Sequence, residues 1–127
     1  MKLIIAGNRE MRLSVQTIVD TLDILDLAGS LTEIVSAPHL IGPAWSAEEY
    51  SVENLDKNAT MFPGEWNLGI EALDVISMEM ADYADAAVIF SFGSDEPEIT
   101  ALKKYLSDLE KPIHEIKFNK YESSTSK

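Results

Sequence analysis

Five short apolar runs alternate along the chain with four longer stretches whose apolar positions recur every three or four residues. Lys2–Ala6 is the first run. It ends at Gly7 and reads as a buried strand followed by a tight turn. After Ser14, the residues Val15, Ile18, Val19, Leu22 and Leu25 share one helical face, which predicts a helix capped by Ser14 and stopped by Gly29. Leu31–Ser36 is short and rich in strand formers, a second strand. Residues 37–44 hold Pro38, Gly42 and Pro43 and predict a loop. Residues 45–56 predict a helix, with Ser46 and Glu49 at capping-box spacing. Ala59–Phe62 is a third strand ended by Pro63 and Gly64, and Leu68–Tyr83 carries Ile70, Leu73, Ile76 and Met80 at helical spacing. Ala86–Phe92 is the most apolar run, a strand buried on both faces. Pro97 opens a helix whose face continues through Ile99, Leu102, Leu106 and Leu109. Pro112–Phe118 predicts a final strand at a sheet edge.

Strict strand–helix alternation predicts an α/β fold: a three-layer, open parallel sheet of about five strands with helices on both faces. A Rossmann-like strand order is the first choice and a flavodoxin-like order the alternative. One domain is expected over residues 1–118, with residues 119–127 a flexible polar tail.

The composition supports a packed core. Of 127 residues, 46% are hydrophobic, and no apolar run reaches the roughly 18 residues of a membrane span. With no cysteine there is no disulfide framework, thiolate nucleophile or cysteine zinc site. These features predict a soluble, cytoplasmic protein. The net charge is −12 and unevenly laid out. Between Leu13 and Leu102 stand seventeen acids against the single cation Lys57. That pattern lacks the basic footprint nucleic acids require and disfavours anionic membranes. It suits solubility, attraction to a basic partner surface, or imitation of DNA.

Ligands of open parallel sheets bind beyond the carboxyl ends of the strands. That rim comprises Gly7-Asn8-Arg9, residues 36–44, residues 62–67 and residues 92–96. Gly7 permits a sharp turn, and Arg9 is suited to bidentate contact with a phosphate or carboxylate, or to a salt bridge with nearby acids. Pro38 and Pro43 bring no N–H to the second loop. Neither G-x-G-x-x-G nor a Walker sequence is present, so no cofactor is expected.

Four segments, MKLIIAGNRE, EIVSAPHLIGPAWSAEEYSVEN, MFPGEW and EMADYADAAVIFSFG, resemble in order and spacing the YspA-like branch of the SLOG superfamily, found in bacterial and phage genomes. The likeness covers residues 1–118. It implies a Rossmann-like fold and a site for a nucleotide-related small molecule at Gly7, Asn8, Arg9, Ser36, His39, Gly42 and Trp66. Some relatives cleave N-glycosidic bonds, and relatives often pair as homodimers. The family's Gly-Ser-Arg stands here as Gly7-Asn8-Arg9, while the paired glycines, arginine and aspartate of its second loop are replaced. The resemblance therefore implies a degenerate binding site without catalysis.

Other constellations add less. Glu79, beside Met80-Ala81, is the one acid suited to acid–base work, and a solvated helix face explains it equally. Asp95, Glu96 and Glu98 suit a hard cation or a solvated turn at a helix N-terminus. His39 and His114 lie far apart and predict no metal site. Ser91 and Ser94 lack a nucleophile elbow. Tyr50 and Phe62 suit the core, and Trp45 and Trp66 suit stacking on a base or insertion into a partner. Three functions follow. The first is a nucleotide-related binding domain, the second an acidic interaction or inhibitor protein for a basic host partner, and the third an N-glycosidase or deoxyribosyltransferase-like enzyme using Glu79 or a turn acid.

Overall fold

The computed structural model describes residues 1–63, 70–93 and 95–118. The proposed tail, Trp66, Gly64 and Ser94 lie outside the described residues. The elements run β1 (Lys2–Gly7), α1 (Val15–Ile24), β2 (Glu33–Ser36), α2 (Pro43–Leu55), β3 (Thr60–Met61), α3 (Ile70–Tyr83), β4 (Ala86–Ser91), α4 (Pro97–Asp108) and β5 (Ile113–Lys117). All strand pairs are parallel and the sheet order is β3-β2-β1-β4-β5. That is the Rossmann order, which decides against the flavodoxin alternative.

Period-two alternation divides the core. Ile4, Ala6, Val35, Ala87 and Ile89 face α3 and α4, meeting Ile76, Met80, Ile99, Leu102 and Leu106. Leu3, Ile5, Ile34, Val88 and Phe90 face α1 and α2, meeting Ile18, Leu22, Ala47 and Tyr50. Each large aliphatic side chain so buried contributes about 1.5–3 kcal/mol. All six residues of β4 are buried, as expected for the strand between β1 and β5. At the end where the strands begin, the Glu33 carboxylate accepts hydrogen bonds from Thr60 Oγ1 at 2.6 Å and from Tyr83 Oη, joining β2, β3 and α3. Those bonds, Thr60's first, hold the Glu33 carboxyl below its ordinary range.

Two local expectations are corrected. Gly29 does not stop α1. Leu25 is the C-cap and Asp26 takes the left-handed conformation (φ 57°), with Gly29 in a short 3₁₀ turn at 28–30. Asp56 after α2 and Glu110 after α4 do the same, with φ of 55° and 56°. Three helices thus end on acids where glycine is favoured and where the macrodipole disfavours negative charge. Second, α2 begins at Pro43 rather than 45, because proline's fixed φ suits the first helical position and Gly42 supplies the N-cap backbone. Ser46 is no cap: its hydroxyl donates to the Leu13 carbonyl, tying α2 to the approach to α1. Ser14 does cap α1, accepting from Thr17 N at 3.1 Å.

Candidate functional site

With β1 and β4 adjacent, the strand order reverses between them, and a ligand crevice should open above their carboxyl ends. Its walls are the loop after β1 and the turn after β4. Here the two walls are bonded to each other. Asn8 N–H donates to the Phe90 carbonyl at 3.0 Å. Arg9 N–H donates to the Glu96 carboxylate at 3.0 Å. Glu10 N–H turns inward to Asn8 Oδ1 at 2.9 Å, and Met11 N–H to the Asn8 carbonyl at 3.0 Å. Four successive amides, the groups that would cradle an anion, are consumed by the protein itself.

The Arg9 guanidinium makes the bidentate contact its chemistry suits, but to an internal carboxylate. Nε lies 2.7 Å from Glu98 Oε2 and Nη2 lies 2.9 Å from Oε1. The Glu98 side chain is 4% exposed, while that of Arg9 is 52% exposed. Burial opposes the charge on Glu98 most strongly, yet the Arg9 hydrogen bond, a backbone N–H and the Arg9 and His39 charges outweigh it and hold the carboxyl below its usual range. Half-buried His39 completes the group. Burial lowers its pKa, with Glu98 raising it and Arg9 lowering it. The adjoining turn is also paired: Asp95 binds Lys103 Nζ at 2.7 Å, and Lys103 reaches Glu115 at 2.8 Å. Asp95 is exposed and Glu98 stands in the first turn of α4, as the turn at a helix N-terminus predicts, but the Glu98 side chain is buried rather than solvated. Among the described residues no three His, Cys, Asp or Glu side chains gather as a metal site.

The glycines explain why the crevice closes. A β-carbon on Gly7 would strike the Phe90 carbonyl and approach Pro43 Cγ to 2.9 Å. The first turn of α2 therefore occupies the space Gly7 leaves. A β-carbon on Gly42 (φ 80°) would lie 2.5 Å from the Asn8 carbonyl, 3.2 Å from that of Met11 and 3.3 Å from that of Arg9. These neighbours are acceptors, which repel rather than bind an anion.

Gly7, Asn8, Arg9, Ser36, His39 and Gly42 thus sit at the rim the topology predicts, with Gly7, Asn8, Arg9 and Gly42 interlocked. Ser36 closes β2, its carbonyl accepting from Phe62 N–H at 3.0 Å, and its hydroxyl is fully buried with no hydrogen-bond partner among the described residues. Glu79 lies elsewhere. It is exposed on α3, toward the end where β4 begins, and lines a groove with α4. Tyr50 is buried, Phe62 packs against the core, and Trp45 is half exposed with the Arg12 guanidinium 5.8 Å from its ring. Glu98 anchors the closed rim, a role that its place in an acidic turn does not by itself announce. Its spacing to Leu102 and Leu106, four and eight residues on, places it in the buried stripe of α4, and that was its signal. No helix among the described residues is long and apolar enough to cross a membrane. Comparison with protein-family models, curated proteins and solved structures finds no match.

Proposed function

We propose that this chain is a non-catalytic Rossmann-like domain that binds a basic protein partner through its acidic surface. The observation that carries the reading is the closure of the crevice: the amides of residues 8–11 are spent internally. Arg9 is paired with Glu98 and Pro43 fills the space beside Gly7. What remains outward is the charge. Most of the seventeen acids between Leu13 and Leu102 are exposed, Glu98 being buried, and a field of one sign speeds encounter with an opposite surface. Affinity capture from its source cell, followed by titration of the purified captured protein, tests this. Kd is expected to weaken by about tenfold or more between low and physiological salt. Salt-independent capture, or none, overturns it.

A second reading keeps the nucleotide-related ligand implied by the SLOG resemblance. The buried Ser36 hydroxyl without a partner among the described residues favours it. It requires the Arg9–Glu98 contact to open so that an anion replaces the internal carboxylate.

A further inference from the structure

Helices α3 and α4 pack side by side on one face of the sheet and leave a groove of about 400 Å³ between their C-terminal halves. It is lined by Met78, Glu79, Asp82, Tyr105, Asp108 and Leu109. Met78 is 52% and Leu109 46% exposed, and on the same outer face of α3 Val75 is 44% exposed. Large apolar side chains exposed together beside a groove mark a contact surface more than scattered ones do. Every carboxylate or ammonium group lining it is an acid: Glu79, Asp82 and Asp108. Two cations border the groove, but among the described residues neither forms a salt bridge with these carboxylates. Lys111 Nζ donates to the carbonyls of Ala81, Asp82 and Ala84 at the end of α3, and Lys104 Nζ lies 5.3 Å from the Tyr105 ring centre.

We infer that this groove is the docking face for a basic amphipathic helix of the protein partner, its apolar stripe lying on Met78, Tyr105 and Leu109 and its lysines or arginines meeting Glu79, Asp82 and Asp108. The inference rests on the proposed function and names the face that carries it. A third helix laid between two parallel-packed ones is a recurring recognition mode, read by apolar anchors at helical spacing, and the unbranched Met78 side chain adapts to such anchors. Charge decides the occupant. A second copy of this chain would bring Glu79, Asp82 and Asp108 against their own counterparts, and like charges across an interface are unfavourable. An anionic lipid surface is excluded by the same sign.

The test uses the full chain, labelled with ¹⁵N, and two synthetic 18-residue probes of identical leucine and lysine composition. One has helical spacing and the other is scrambled. The amphipathic probe is expected to bind about tenfold more tightly, to move the amides of residues 75–82 and 101–109 most, and to weaken about tenfold with the exposed-site variant Met78→Ser/Leu109→Ser. If the probe binds but moves residues 48–61 instead, and that variant binds unchanged, the groove assignment is overturned while the acidic-partner reading stands. If neither probe binds at low salt, both fall. If sedimentation shows a dimer that Met78→Ser/Leu109→Ser dissolves, the groove belongs to a second copy and the inference is likewise overturned.

Discussion

Gly42→Ala is expected to lower stability by about 3 kcal/mol or more and the melting temperature by about 10 °C or more. Two independent effects add. The backbone at φ 80° and ψ −124° lies outside the conformations side-chain-bearing residues adopt, at about 1–3 kcal/mol. The new methyl would also stand 2.5 Å from the Asn8 carbonyl, a backbone atom fixed by its bond from Met11 N–H, and such overpacking costs about 1–3 kcal/mol. For a chain of this length each kcal/mol is worth roughly 3–5 °C. Gly29→Ala is the control. Its β-carbon meets nothing within 4 Å, so that variant should melt within a few degrees of the parent. Thermal unfolding followed by circular dichroism reads both. Equal, small shifts would mean that the loop after β1 does not close over Gly42.

Arg9→Ala is the second large effect, and its signature is pH dependence. The variant leaves the Glu98 carboxylate buried without its guanidinium. Losing one partner of a fully buried pair costs about 3–5 kcal/mol. Arg9 is half exposed and water screens part of the interaction, so about 2 kcal/mol is expected at pH 7. In the parent, Glu98 has a carboxyl held below its unfolded value. The contribution of the pair is therefore present above the unfolded carboxylate pKa of about 4.3 and is lost as pH falls through the lower folded value. In Arg9→Ala, burial acts on Glu98 without that counterweight and favours the protonated form. The deficit of the variant should be greatest near neutrality and shrink as the solution is acidified below about pH 5. Arg9→Ala/Glu98→Gln should recover much of the loss, because no charge remains buried. Denaturant unfolding at pH 7 and pH 4.5 measures each term. A deficit independent of pH would show that Arg9 acts through packing alone.

Much of the scaffold was legible because it rests on local periodicity. β4, a run of six buried residues, and the stripe Ile18–Leu22 each announce their environment in a few neighbouring positions. Right-handed parallel connections then bring residues 7–9, 36–42, 92–93 and 95–96 to one rim without further information. The starts and stops were less legible. Pro43 reads as a loop residue and Gly29 as a stop, whereas proline opens α2 and Asp26 ends α1, because proline's φ suits both a loop and a first helical turn and aspartate tolerates the left-handed backbone. The interlock of the site was not legible at all. That Gly7 is needed to admit Pro43, and that Gly42 is ringed by the carbonyls of Asn8, Arg9 and Met11, depends on loops distant in sequence meeting in space. Glu98 lay between the two cases. Its helical register was visible, but its partner 89 residues away was not.

Closure of the crevice above β1 and β4 by the chain's own groups is the feature on which the proposed function rests. Titrating ¹⁵N-labelled protein with nucleoside monophosphates to millimolar concentration measures this residue by residue. The amides of Asn8–Met11 and Glu96–Ile99 should keep their positions, held by Phe90, Glu96 and Asn8 as in the free protein. Saturable movement of those amides, with the Arg9 side-chain signal shifting in step, would show an anion displacing Glu98 and would contradict that closure.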